Sequence, residues 1–246
     1  MASNLSYEYF DNAPIIISMI QFRYDKIEDL NFEQIIKDSK KLSNNFPNRK
    51  PQITRDIQIQ GLETSIKVGD AETSGVLLSS SNEKKNLTIN DKKFTLESRE
   101  KYTGWDSFIK EAMELWDFFK EKLEVTKLSG ISVRTINRFN LPMDLKSIND
   151  YFTSYIQSDT GTHKFSTFQF KYTSFDKDNS MLWNIGQALE KPISDKVPYF
   201  FDIDVLMNKE IPNTNEDILN GFTKIRDKKN YLFNDGITEK TKQLIR

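Results

Sequence analysis

The sequence contains no cysteine and only one histidine, His163, among its 246 residues. The missing cysteine excludes disulfides, thiolate zinc sites, iron–sulfur ligation and cysteine nucleophiles. A Ser-His-Asp triad or a histidine-based metal site would have to use His163. That residue lies in the polar stretch Asp159–Lys164, which is typical of a turn before a strand. We therefore interpret it as a loop histidine and expect no thiol chemistry.

The sequence also has no marked excess of basic over acidic residues, or of acidic over basic residues. The chain has 35 Lys and Arg against 36 Asp and Glu, a net charge of -1 that gives no global attraction to nucleic acid or an anionic membrane. The apolar run Pro14–Ile20 is too short to cross a bilayer, and the residues before it lack the basic and apolar regions of a signal peptide. We expect a cytoplasmic protein that does not bind membranes.

Aromatic residues, in contrast, are abundant, and strand and helix patterns are clear. The segment Gly130–Pro142 alternates as a strand does. Its two faces carry Ile131, Val133, Thr135, Asn137 and Phe139 on one side and Ser132, Arg134, Ile136 and Arg138 on the other. Glu63–Thr73 is polar and is interpreted as a loop.

The helices are predicted from caps and apolar stripes. Thr103 is the expected N-cap of a long helix whose inward side chains are Trp105, Phe108, Ala112, Trp116 and Phe119. Thr214 is the expected N-cap of a second long helix, with Ile218, Phe222 and Ile225 inward, ending at the turn Asn234–Gly236. Shorter helices are predicted after Asn31, over Ser147–Gln157 and after Thr238.

Both halves of the chain follow the order strand, helix, about three strands, long helix, at nearly constant offset. The sequence therefore predicts an α+β fold, in which two pseudo-repeated β-α-β-β-β-α units form an antiparallel sheet with helices packed on one face. The units span residues 1–124 and 125–246, as two halves or as one continuous domain. In topology alone, this arrangement resembles the saddle of TATA-binding proteins.

Candidate site residues lie on the predicted strands. Arg134 and Arg138 share one strand face, and Arg23 has the equivalent place in the first half, so these guanidinium groups with Asn137 form a candidate anion- or partner-binding set. The alternative is that the arginines pair with Asp202 or Asp204 across the sheet. Those two aspartates are themselves weak candidates for a metal site. No catalytic residue and no cofactor are predicted.

Four short motifs resemble a bacterial family of sporadically distributed proteins of about the same length, without an assigned function. They are Asn12-Ala13-Pro14, Trp105 at a helix start, Arg134-Thr135-Ile136-Asn137-Arg138, and Asn230…Phe233…Ile237-Thr238. The scattered occurrence of that family implies a place in toxin–antitoxin loci or anti-phage defence. The resemblance assigns no catalytic residue.

Three functional hypotheses follow. The first is a non-catalytic binding module that acts through a protein partner or as a homo-oligomer, by an exposed sheet face or edge. The second is a nucleic-acid-binding protein in which Arg23, Arg134 and Arg138 contact phosphates. The third is a metal-dependent hydrolase that uses Asp202 and Asp204. An enzyme is the less favoured interpretation.

Overall fold

The computed structural model describes residues 10, 12–60, 65–153 and 167–246, without the side chains of positions 54–72. His163 and residues 154–157 lie outside this part of the chain. The strands are β1 (Ile15–Arg23), β2 (Asn48–Gln60), β3 (Ser65–Ser79), β4 (Lys85–Asn90), β5 (Lys93–Ser98), β6 (Lys127–Leu128), β7 (Gly130–Pro142), β8 (Phe168–Asp176), β9 (Met181–Leu189), β10 (Lys196–Met207) and β11 (Ile211–Pro212). The α-helices are α1 (Phe32–Asp38), α2 (Trp105–Lys120), α3 (Asn215–Gly236) and α4 (Glu239–Gln243), and two 3₁₀ helices span Ser39–Leu42 and Ile148–Asp150.

Nine of these strands form one sheet in the order β2-β3-β4-β5-β1-β7-β10-β9-β8. Every neighbouring pair is antiparallel, and β1 and β7 lie side by side near the middle, with Ser18 opposite Thr135. The predicted mixed fold with a large antiparallel sheet and a few helices is confirmed at this level. Within the described residues, no helix has the length and apolar character needed to span a membrane.

One face of the sheet forms the core because alternate side chains of each central strand point to the same side. Phe22 on β1 is fully buried and stacks on Trp116 of α2, with ring centres 4.8 Å apart. Phe222 of α3 contacts the same Phe22 ring edge-on at 5.2 Å. The helices α2 and α3 therefore cover one face, which we call the covered face. The opposite face is called the open face.

Among the four α-helices, the N-cap was predicted correctly for three and wrongly for one. The side chains of Asn31, Thr214 and Thr238 each accept a hydrogen bond from the backbone N–H of the third residue that follows. Thr103 is not the N-cap of α2. Gly104 occupies that position with φ at 122°, and no side chain caps the helix. Instead, the Thr103 hydroxyl lies 2.9 Å from the Ser107 hydroxyl.

Three other predictions differ from the structure. The predicted loop Glu63–Thr73 largely belongs to β3, which pairs with β2 from Ser65 onward. The predicted helix from Ser147 is only the short 3₁₀ helix Ile148–Asp150 in its described part. The predicted turn near Asn234 is the last turn of α3, which continues to Gly236. Polar composition misled in the first case, because pairing to a neighbouring strand outweighs local propensity.

Candidate functional site

Arg134 lies on the open face and is already paired. Its Nε and Nη2 donate to the two carboxylate oxygens of Asp202 on β10 at 2.8 and 2.6 Å. These hydrogen bonds raise the pKa of Arg134 above its ordinary value, although burial acts against the rise. The cross-sheet pairing considered as the alternative is therefore present, and the charge of Arg134 is compensated.

Arg138 lies on the same face of β7 but has no such partner. Its guanidinium carbon is 5.9 Å from the centre of the Phe200 ring, on the residue directly opposite in β10. Its Nε is buried and makes no hydrogen bond with the described part of the protein. Asp202 thus engages two of the five N–H donors of Arg134, whereas the described residues engage none of those of Arg138.

Arg23 is not part of this pair. It lies at the end of β1 opposite Gly130, four residues beyond Met19, which faces Arg134. Its Nη1 donates to Asn208 Oδ1 at 2.9 Å. The three arginines therefore lie along the open face at intervals of four residues, level with Gly130, Arg134 and Arg138 of β7, and they do not form one cluster.

Asn137 points to the covered face. It is 1% exposed, and its Nδ2 donates to the backbone carbonyl of Phe201 at 2.9 Å. Because successive strand residues alternate between faces, Asn137 cannot act on a ligand together with its two flanking arginines.

Asp202 and Asp204 both lie on the open face of β10. Asp202 is held by Arg134, and Asp204 accepts a hydrogen bond from Asn184 Nδ2 at 3.3 Å. Burial raises the pKa of Asp204 above its usual range. The described residues contain no group of three or more His, Cys, Asp or Glu side chains placed to hold a metal ion.

A cavity of about 210 Å³ lies on the covered face, between the middle of the sheet, the start of α2 and the end of α3. It is lined by Phe10, Ala13, Pro14, Ile15, Tyr102, Gly104, Trp105, Thr135, Asn137, Arg226, Lys229, Asn230, Phe233 and Asn234. The four short motifs that are far apart in the sequence each contribute to this lining. The cavity is therefore where the structure brings these segments together.

Two cations and no carboxylate line the described wall of this cavity. Lys229 is 8% exposed and makes no hydrogen bond or ion pair with the described residues. Burial, together with the nearby charge of Arg226, lowers the pKa of Lys229 to about 8. Arg226 is partly neutralised, because its Nη2 lies 3.3 Å from Asp227 Oδ1. The cavity thus has positive character.

Sequence reasoning missed Lys229, although a signal was present. Ile218, Phe222 and Ile225 form the buried stripe of α3 at helical spacing, and Lys229 is the next position of that stripe. A lysine on a buried stripe is rarely left without a partner. This position could have been identified as a candidate binding residue from the pattern alone.

The chain was compared with protein-family models and with curated proteins, and neither comparison found a match.

Proposed function

We propose that the protein is a non-catalytic binding module whose open face takes a protein partner. The observation that carries this proposal is the Arg138–Phe200 contact, in which a guanidinium lies against an aromatic ring and keeps a buried Nε unused. Arginine and aromatic side chains are the types most enriched at the centres of protein interfaces. Ile136, on the same face, is half-buried and adds apolar surface beside them.

The partner would present a carboxylate to Arg138. A guanidinium offers donors in a fixed fork that matches a carboxylate. Arg134 supports the surface without contacting the partner's carboxylate, because Asp202 already occupies its Nε and Nη2. Removing Arg138 should therefore weaken the complex, and removing Arg23 should not.

Site-specific photo-crosslinking in the native host tests this proposal. A benzoylphenylalanine at position 136, on the open face, should give a discrete cross-linked protein. The same group at Glu216, an exposed position in the first turn of α3, should not. The variant Arg138→Ala should remove the cross-link, whereas Arg23→Ala should retain it. Equal cross-links from positions 136 and 216, or an intact cross-link in Arg138→Ala, would reject the proposal. A cross-link to DNA or RNA would favour the nucleic-acid hypothesis instead.

We also propose that residues 1–124 and 125–246 are two copies of one unit. The support is the strand order, in which β1 and β7 are neighbours, β5 lies next to β1, and β10 lies next to β7. In each half a long helix, α2 or α3, follows the strands and packs on the covered face. An experimental structure tests this, since superposing β1–α2 on β7–α3 should require a two-fold rotation. Any other rotation would count against duplication.

A further inference from the structure

Three polar side chains that line the cavity on the covered face have no hydrogen-bond partner among the described residues. Those of Lys229, Thr135 and Asn230 make no hydrogen bond with the described residues, and Lys229 and Thr135 are buried. The Nζ of Lys229 is not among the fully enclosed unpaired atoms of the described residues, so it opens to the cavity, and an ammonium held this far from bulk water without a counter-charge is costly. A ligand that carries a negative charge would compensate the ammonium of Lys229, which would explain why an unpaired lysine is retained at this position.

The start of α2 contributes a second, independent feature. Gly104 and Trp105 line the same cavity, and no side chain caps the helix there. The first N–H groups of a helix lack partners within the helix, and their dipoles favour an anion. A Cβ added to Gly104 would meet no atom within 4 Å, so space lies in front of this helix end. Lys229 and the start of α2 therefore both favour a negatively charged group in the cavity.

The apolar part of the lining indicates a ligand larger than an inorganic ion. Trp105 and Phe233 present aromatic surface to the cavity. At a volume per water of about 30 Å³, the cavity could hold roughly 7 water molecules, which is enough for a ring that bears one charged group. Most small-molecule sites combine such apolar walls with a few polar groups in the same way.

We propose that this cavity binds a small organic anion, a carboxylate or a phosphate ester attached to an apolar group. Its charged group lies between Lys229 and the start of α2, and its apolar part packs against Trp105 and Phe233. This site lies on the opposite side of the sheet from the proposed partner surface. An experiment can therefore reject the anion site on the covered face without rejecting the protein-binding surface on the open face, and the reverse.

Calorimetric titration of the full chain tests this proposal with three probes. Benzoate carries a carboxylate, phenyl phosphate carries a phosphate, and benzyl alcohol has the same ring without a charge. We expect at least one of the two anions to bind saturably, and the alcohol not to bind. The stronger of the two anions identifies the charged group. No saturable binding by either anion at millimolar concentration would overturn the proposal, as would equal binding of the alcohol.

Lys228 provides a matched control for Lys229. It is the next residue of α3, and its Nζ lies 3.9 Å from the centre of the Trp183 ring, outside the cavity lining. Lys229→Met should weaken anion binding by about 10-fold or more, because a charged hydrogen-bond donor is lost. Lys228→Met should change the affinity by less than about 2-fold. Equal losses in the two variants would show that the anions respond to overall charge and would overturn the site.

A measurement on the unmodified chain avoids any dependence on the variant's folding. Labelling the lysine Cε atoms with ¹³C allows Lys229 to be titrated by NMR with and without the stronger anion. Arg226 and Tyr102 are the other titratable groups of the lining, and neither supplies a negative charge near neutral pH. The bound anion should therefore raise the pKa of Lys229. Its affinity should be constant below the free value and then fall up to about 10-fold per pH unit above it. An unchanged titration of Lys229 at saturating anion would contradict the proposal.

Discussion

The two faces of the sheet hold cations in opposite situations. On the open face, Arg134 is 36% exposed at its side chain and is held by both oxygens of Asp202. On the covered face, Lys229 is 8% exposed and has no partner among the described residues. The more buried charge is thus the less compensated one. This difference indicates that Arg134 is part of the framework, whereas Lys229 is available to a ligand.

The physical reason lies in what each cation can reach. Ile136 is the next residue after Arg134 on the same face of β7, and Asp202 of the adjacent strand β10 lies opposite Ile136. The Asp202 carboxylate is therefore within reach of Arg134. Lys229 lies on the buried stripe of α3 and faces a cavity wall whose described residues include no carboxylate. The free-energy cost of removing a charge from water increases with burial. A cation without a counter-charge is therefore more destabilising on the covered face than on the open face.

The largest expected change in the free energy of unfolding comes from the packing of α2 and α3 on the sheet. Trp116 is fully buried, stacks on Phe22, and donates from Nε1 to Asn213 Oδ1 at 3.0 Å. Trp116→Ala should lower the free energy of unfolding by about 3–5 kcal/mol, because it loses transfer energy and leaves a cavity. Phe222→Ala should have a similar effect. Urea unfolding measures both, and a loss below about 1 kcal/mol would contradict the packing of α2 on the sheet.

The next expected effect is a gain in stability, and it tests whether Lys229 is less compensated than Arg134. Lys229→Met should raise the free energy of unfolding by roughly 3 kcal/mol at pH 7, because it removes a charge that is protonated and unpaired. The folded-state pKa of about 8 is below the ordinary lysine value of 10.5, so the unfolded chain binds more protons between these values. The unmodified protein should therefore gain stability as pH rises from about 8 to 10.5, and the advantage of the variant should disappear over this window.

Urea unfolding of both proteins at several pH values measures this difference, with Lys228→Met as the control. Burial raises the pKa values of Tyr24 and Tyr199, but these groups titrate alike in both proteins and cancel in the comparison. If Lys229→Met destabilises the protein at pH 7, the ammonium has a compensating partner and the comparison of the two cations fails.

A smaller effect is expected from the compensated cation. A double-mutant cycle with Arg134→Met and Asp202→Asn should give a coupling free energy of about 1 kcal/mol, since both side chains are partly exposed and screened by solvent. The coupling should decrease at high salt. A coupling of zero at low salt would mean that Arg134 is as free as Arg138 to bind a partner.

The smallest effects should come from the solvent side of α2. The side chains of Lys110 and Glu114 are 77% and 68% exposed and lie 4.0 Å apart. Their alanine variants should fall within about 0.5 kcal/mol of the parent in urea unfolding. Asp117 is not a suitable third control, because it is half-buried and accepts a hydrogen bond from Asn215 Nδ2 at 3.0 Å. A large loss in Lys110→Ala would mean that α2 is rotated from the packing described here.

Much of the fold could be predicted because its signals are local. The alternation of β7 placed Val133 and Phe139 on the core side, and the stripe of α2 placed Trp116 there. The same alternation placed Arg134 and Arg138 together. The cap of α2 was missed because Thr103 bonds to another side chain. The first part of β3, up to Thr73, was missed because its partner strand, not its composition, holds it extended.

The candidate cavity could not be predicted in the same way. Pro14, Trp105, Thr135 and Phe233 come from four separate segments, and only strand order and helix packing decide that they share one wall. The alternation of β7 already put Asn137 on the face opposite Arg134 and Arg138, although it was grouped with them as a candidate, and the structure shows that its side chain bonds to the Phe201 carbonyl. Periodicity could have identified Lys229 as buried, but not whether a carboxylate would reach it.

The sequence by itself determined which residues alternate, where three of the four α-helices are capped, and which side chains form the core, since these depend on periods of two and of about 3.6 residues along one chain. The tertiary structure alone decided which charges are paired. Pairing depends on what neighbouring strands and helices bring within hydrogen-bond distance, and these neighbours are distant in sequence. For that reason Arg134 has its carboxylate, and Lys229 has none in the part of the chain that the structure describes.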